Sequence, residues 1–332
     1  MKAAFIERTG PPEVIQFAEL PTPEPGPGPG QVRVRVAAVA VNPIDTYLRA
    51  GLIAMPLPFP FVVGCDFAGT VDAVGAGVTR FRPGDRVWGS NQGLLGRQGT
   101  FAEFAVVPDD FAYPSPPGVA DEALAAVALV GITAHLGLVR HARLLRGETI
   151  FVNGGGGGVG STVLQLARAL GARVLCSAGS DAKVRACREL GAAAAFNHRT
   201  EDVAAALKQA APGGVQVWWE TTREPDFDRA VAALAPGGRF VLMAGREARP
   251  PFPVGPFYVK GCSLLGFVMF NAPPAEQRKA AEDLARWLVE GALRPKIDRV
   301  LPLSEAAAAH RLQEEGTLQC TGTLAGKIVL KL

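Results

Sequence analysis

The spacing of apolar positions changes character near residue 121 of this chain. In the first third it favours period two. Across residues 31–39, Val32, Val34 and Val36 point one way while Arg33 and Arg35 point the other, which predicts a half-buried strand. Residues 67–74, 85–88 and 101–107 predict further short strands, with turns at Gly75-Ala76-Gly77 and Pro83-Gly84-Asp85. The proline-dense stretch 21–30 cannot take regular structure and predicts an extended loop between two strands. From Asp121-Glu122 an apolar helical stretch runs through Leu129, with acidic residues in its first turn. Strand-like segments at 149–152, 172–177, 215–220, 238–244 and 262–267 then alternate with helical patterns, as in a parallel sheet wrapped by helices. Residues 275–290 predict a long helix and 327–332 a last strand. A β-rich part on both sides of an α/β insert predicts a first domain closed by the C-terminal segment. The expected division is 1–122 with 269–332, and 123–268.

Composition narrows the function classes. A hydrophobic content of 48% over 332 residues supports packed interiors, more than one core, and no extended disorder. A formal net charge of +3 makes no electrostatic case for nucleic acid or a membrane surface. No apolar run approaches the ~18 residues that would cross a bilayer. Charge within residues 1–8 favours a first strand over a signal peptide. The five cysteines, Cys65, Cys176, Cys187, Cys262 and Cys320, are scattered and odd in number, as expected of a reduced, cytoplasmic protein.

The candidate chemistry starts at Val152-Asn153 followed by the five glycines 154–158, Val159 and Gly160. An apolar strand precedes this run, and a helical pattern over 161–170 and a second strand follow it. That order is the unit whose helix N-terminus holds a dinucleotide pyrophosphate. Gly155, Gly157 and Gly160 satisfy G-x-G-x-x-G, although so glycine-rich a run matches almost any glycine pattern. A flexible linker is the competing reading. The flanking elements oppose it, because Val159, Val163, Leu166 and Leu170 give the helix an apolar face. NAD sites place an acid at the end of the second strand, about 20 residues on, for the ribose 2′-hydroxyl. Here that place is Ser177-Ala178-Gly179-Ser180, with Lys183 and Arg185 following and His198-Arg199 available at the same edge. Asp181 stands where the next helix begins and serves equally as its cap. A neutral pocket with a cation beside it suits a 2′-phosphate, so NADPH is the expected cofactor. The four histidines, His135, His141, His198 and His310, show no metal-ligand spacing, and no cysteine cluster exists, so no metal is expected.

Residues 42–51, Asn-Pro-Ile-Asp-Thr-Tyr-Leu-Arg-Ala-Gly, closely resemble the signature loop of the zeta-crystallin-like, zinc-free quinone oxidoreductases, a branch of the medium-chain dehydrogenase/reductase superfamily. Residues 64–71, 81–87, 131–134, 196–199 and 326–330 resemble the same branch, in one collinear order along the chain. The resemblance implies an α/β protein with a GroES-like barrel domain and a Rossmann domain, and an active site between them. Zinc-dependent relatives hold metal with Cys, His and Cys, where this chain has Asn42, Cys65 and Val130. Also implied are Thr133 at the nicotinamide, the glycines Gly155, Gly156, Gly157 and Gly158 with Val159 and Gly160 on the pyrophosphate, and Gly179, Ser180, Lys183 and His198 around the adenosine phosphate. Gly245, Arg246, Val268 and Phe270 would line the cofactor's far side, and Asn42, Asp45 and Tyr47 would floor the substrate cleft as the catalytic set. A small-molecule substrate and a homodimer or homotetramer, associating near residues 262–270, follow from the same resemblance. The family usually carries Ala or Ser where Gly155 and Gly156 stand, and smaller residues around Trp218 and Trp219; these departures and residues 245–253 bear on the substrate.

Without a metal to generate an alkoxide, alcohol oxidation is disfavoured. The expected reaction is hydride transfer from NADPH to a quinone. The alternatives are reduction of the carbon–carbon double bond of an enone or acrylate, and an NADPH-binding structural or RNA-binding protein. Tyr47 is the expected donor to the substrate oxygen that gathers charge, the competing role being packing.

Overall fold

The computed structural model describes residues 1–23, 28–318, 322 and 324–332; residues 24–27 of the proline-dense loop, and Cys320, lie outside them. The chain opens with strands β1 (Lys2–Ile6) and β2 (Gln16–Glu19), and the period-two segment 31–39 becomes β3 (Gln31–Val41). Burial alternates along β3 as far as Val36 and is continuous from Ala38 to Val41, so the strand passes from a half-buried to a fully buried setting. There follow α1 (Pro43–Arg49), β4 (Phe61–Val62), β5 (Phe67–Val74), β6 (Arg86–Gly89), β7 (Phe104–Pro108), β8 (Ala112–Pro114) and α2 (Asp121–His135). Residues 42–51, read as a loop, are therefore mostly helix: Pro43 starts α1, where its missing N–H does no harm, and Asp45 accepts the Asn42 N–H at 2.8 Å.

The alternating α/β segment supplies β9 (Thr149–Asn153), α3 (Gly158–Ala169), β10 (Arg173–Ala178), α4 (Asp181–Glu189), β11 (Ala194–Asn197), α5 (Val203–Ala210), β12 (Val215–Glu220), α6 (Phe227–Ala233), β13 (Leu234–Leu242), α7 (Val254–Val259) and β14 (Ser263–Gly266). The chain ends with α8 (Pro274–Val289), β15 (Ile297–Pro302), α9 (Ala306–Thr317) and β16 (Lys327–Lys331).

Two compact units result: Met1–Val130 with Pro273–Glu290 and Arg294–Leu332, and Gly131–Ala272 with Gly291–Leu293. In the first, β16 pairs antiparallel with β3, so the last strand joins the sheet β15-β16-β3-β5-β6-β8, and β7 also pairs with β3. Its core gathers Val32, Val34, Phe67, Val71, Val107 and Ile328. This is the GroES-like unit. The second unit is a parallel sheet in the order β11-β10-β9-β12-β13-β14, the doubly wound Rossmann arrangement. Strand order reverses between β9 and β12, and in such sheets ligands bind beyond the carboxyl ends at that switch. Phe151, Leu175, Trp218 and Phe240 fill the space between its sheet and helices.

One expectation about the apolar runs is corrected. The helix begun by α2 continues through a π-helical turn, Leu136–His141, giving a 21-residue helix from Asp121 to His141 that contains an 18-residue window of mean hydropathy 1.8. It is long and apolar enough to cross a membrane by length and composition, yet 78% of that window is buried inside the protein, as in a core helix. Thr133 and His135, with Gly131 and Gly137, interrupt this segment, so it is not a stretch of unbroken apolar residues.

Candidate cofactor and active site

The glycine turn sits at the carboxyl end of β9, beside the switch point. Gly154 takes φ +91°, open to glycine at little cost, and lets the chain turn out of the sheet. Its N–H donates to Ser177 Oγ at 3.2 Å, and the Gly155 N–H donates to the Ser177 carbonyl at 2.8 Å, so the turn is pinned to β10. Gly157 then precedes α3, whose first N–H groups, those of Gly158, Val159 and Gly160, have no acceptor within the helix. A Cβ on Gly160 would lie 2.1 Å from the Gly154 carbonyl oxygen, whereas one on Gly157 would meet nothing closer than 3.8 Å. Gly160 therefore permits close packing of helix on turn, and Gly157 leaves an open backbone surface. A Cβ on Gly155 would press on Cys176 at 2.9 Å, and one on Gly156 would meet the Lys183 side chain at 3.1 Å. These bare backbone surfaces and unsatisfied amides fit a dinucleotide pyrophosphate.

At the end of β10 the side chains are cationic. Gly179 lies against the His198 imidazole and Arg199, with a Cβ there 3.2 Å from His198 Nε2. Burial, then the charges of Arg199, Arg229 and Lys183, hold the His198 pKa below its usual value. Arg229, on α6 and lying 5.9 Å over the Trp218 ring, belongs to this edge although sequence reading passed over it. The signal was weak, because an arginine in a helix 31 residues beyond His198 carries no motif. Ser180 is the residue that caps α4, accepting the Lys183 N–H at 3.3 Å. Asp181, the other candidate cap, instead accepts from Asn197 Nδ2 at 2.7 Å.

Of the remaining expected cofactor residues, Thr133 is buried on α2. Gly245 takes φ +82° and its missing Cβ would meet the Arg223 carbonyl at 2.8 Å. Arg246 is exposed and paired with Glu247 at 2.6 Å; Val268 is exposed and Phe270 half-buried beside it.

In the first unit the three expected catalytic residues all stand on α1 or at its N-cap. Tyr47 is half-buried on α1. Asn42 and Asp45 are buried, and their polar groups are engaged by neighbours of the same unit. Asn42 Nδ2 donates to Asp66 Oδ2 at 2.8 Å and its Oδ1 accepts from Lys327 Nζ, which also donates to the Val41 carbonyl at 2.7 Å. Asp45 is held by the Asn42 N–H and faces the Cys65 thiol. Burial raises the Asp45 carboxyl to about 7, with the Asp66 charge adding to the rise. Burial likewise raises Asp66 and Cys65 and lowers Lys327. A buried ammonium thus feels the charges of Asp66 and Asp45 and holds the amide of Asn42. Lys327 was read only as part of the closing strand; a lysine interrupting the apolar run 328–330 at its start was the available signal. Among the described residues, no three His, Cys, Asp or Glu side chains form a group able to hold a metal ion.

Comparison with known proteins agrees with this architecture. Residues 28–117 match the alcohol dehydrogenase GroES-like domain and residues 158–287 the zinc-binding dehydrogenase family. A quinone oxidoreductase of Sus scrofa is 33% identical over 295 residues, covering 88% of this chain and 86% of the relative. Among solved structures, an NAD-dependent alcohol dehydrogenase has a TM-score of 0.90 at 32% identity, covering all of both chains. The Escherichia coli quinone oxidoreductase complexed with NADPH has 0.86 at 26% identity over all of both chains. A 2-haloacrylate reductase has 0.84 at 28%, covering all of this chain and 99% of its own. With both folds present and the likeness running through both units, the chain belongs to the quinone oxidoreductase branch of the medium-chain dehydrogenase/reductase superfamily and is an oxidoreductase of a nicotinamide cofactor.

Proposed function

We propose that the protein is an NADPH-dependent reductase that delivers hydride to a quinone. The observation that carries the cofactor choice is the gathering of Lys183, Arg199 and Arg229 charges around His198, which with Arg199 lies against Gly179, at the end of β10 where an NAD site would place an acid. In this reading Gly156, Gly158, Val159 and Gly160 hold the pyrophosphate, Gly179, Ser180, Lys183 and His198 the adenosine phosphate, and Thr133, Gly245, Arg246, Val268 and Phe270 the rest of the cofactor. Bound NADPH supplies the hydride. The chain's own work is then positioning and charge stabilisation. As a quinone accepts hydride, negative charge gathers on a carbonyl oxygen, and the Tyr47 hydroxyl donates a hydrogen bond to it. Asn42 and Asp45 act behind it, fixing the start of α1. Quinone and NADPH take up one proton and leave as hydroquinone and NADP⁺.

A second reading, reduction of an electron-poor carbon–carbon double bond, draws on the likeness to a 2-haloacrylate reductase and uses the same cofactor residues. Copies of the chain would associate through the edge strand β14, where Leu264 is exposed. The deciding experiment is steady-state NADPH oxidation with a panel of quinones against enones and acrylates, repeated with NADH. Quinone turnover well above alkene turnover supports the first reading; the reverse order selects the second.

A further inference from the structure

Glu220 ends β12 with its side chain wholly buried, and its neighbours are all donors. Asn153 Nδ2 lies 2.9 and 3.0 Å from its two oxygens, Trp218 Nε1 donates to Oε2 at 3.1 Å, and the Thr222 N–H donates to Oε1 at 2.8 Å. Only a group that accepts on both oxygens satisfies all of them. The chain of bonds continues in one sense. Ser177 Oγ donates to Asn153 Oδ1 at 2.7 Å, and Ser177 Oγ in turn accepts the Gly154 N–H at 3.2 Å. On the other side, Thr221 Oγ1 donates to the Asn153 carbonyl at 2.6 Å, and a Cβ on Gly154 would lie 2.1 Å from that hydroxyl.

We propose that Glu220 is a positioning residue for nucleotide binding, one buried carboxylate that sets both the glycine turn after β9 and the loop after β12. Through Asn153 and Ser177 it orients the Gly154 peptide, and through Thr222 it fixes the loop on the other side of the switch point. Its role follows from hydrogen-bond polarity. Glu220→Gln preserves the shape but turns an amide N–H₂ toward Asn153, Trp218 or Thr222, leaving at least one buried donor facing a donor. The misfit passes through Asn153 to the turn whose amides receive the phosphates.

This inference rests on the glycine turn binding NADPH, and the test separates the two. NADPH and NADP⁺ binding are titrated by tryptophan fluorescence for the wild type, Glu220→Gln and Ser177→Ala. Amide hydrogen exchange is followed in all three without ligand. The expected loss of affinity is about tenfold for Glu220→Gln and smaller for Ser177→Ala, in line with losing one buried charge-assisted or one neutral bond. Exchange should quicken in peptides covering both 153–158 and 221–223 in Glu220→Gln, and in 153–158 alone in Ser177→Ala. Substituting the carboxylate bonded to Trp218 should also change the emission of the ligand-free protein. Wild-type affinity with unchanged exchange in Glu220→Gln overturns the proposal. Should Glu220→Gln fail to fold, Ser177→Ala decides: unchanged exchange at 153–158 overturns it. A wild type that does not bind NADPH overturns the cofactor reading, whereas faster exchange in the variants would still support the hydrogen-bond relay.

Discussion

Lys327 Nζ donates to Asn42 Oδ1 although 285 residues separate them, and both side chains are buried. The ammonium lies in the field of Asp45 and Asp66, so two raised carboxyls and one lowered amine share one buried cluster. Breaking such an arrangement at one member leaves the others uncompensated, which is costlier than never having built it. Lys327→Met should lower unfolding free energy by about 3 kcal/mol. Urea denaturation at neutral pH checks this; an unchanged midpoint would mean that the cluster contributes nothing to folding.

The 2′-phosphate assignment is tested by Lys183→Ala and Arg229→Ala. Each should weaken NADPH binding about tenfold, the loss of one charge-assisted contact, and leave NADH binding almost unchanged. Equal losses for both cofactors, measured by titration, would remove the phosphate from this edge.

Tyr47→Phe removes only the hydroxyl. Turnover at saturating cofactor should fall by about tenfold or more, with NADPH affinity preserved, if that hydroxyl stabilises the developing oxyanion. Unchanged turnover with a lower melting temperature would make Tyr47 a packing residue of α1.

Gly160→Ala places a methyl 2.1 Å from a backbone carbonyl that cannot move without disturbing Gly154. The variant should lose about 1–3 kcal/mol of stability, the usual range for overpacking, and bind NADPH more weakly. Gly157→Ala, at a position with nothing within 3.8 Å, is the matched control for steric damage within the protein.

His310 is buried on α9 with its ring edge-to-face on Phe101, centroids 6.0 Å apart. Burial, and secondarily the Arg49 charge, lower its pKa to about 3. The unfolded chain therefore takes up a proton near pH 6.5 that the folded chain refuses. Its contribution to stability is complete above that value and is lost as pH falls toward 3, at up to about 1.4 kcal/mol per pH unit. Denaturation of wild type and His310→Leu at pH 7, 6 and 5 should give a smaller acid loss for the variant; parallel slopes would refute it.

How legible each part was depends on the range of the interaction that made it. The strands β3, β5, β10 and β12, and the helix α3, follow from local alternation and from an amphipathic face, both carried by neighbouring residues. The glycine turn was legible for the same reason, since strand, turn and helix are contiguous. The role of Gly154 was not: whether a glycine needs a left-handed φ or close packing depends on Ser177 and Thr221, which come from β10 and from the loop after β12. α1 was misread because a seven-residue helix opened by Asn-Pro looks locally like a turn. Arg229, Glu220 and Lys327 had no role assigned from the sequence, their partners being 31, 67 and 285 residues away for His198, Asn153 and Asn42.

The sequence by itself determined the two folds, the order of their elements and the site of the glycine turn, because apolar periodicity and turn chemistry are local properties of the chain. Only the tertiary structure decided which polar residues are buried, which of them spend their hydrogen bonds on one another, and which charges gather around His198. Those outcomes depend on desolvation and on contacts between distant segments, and neither exists until the sheets have formed.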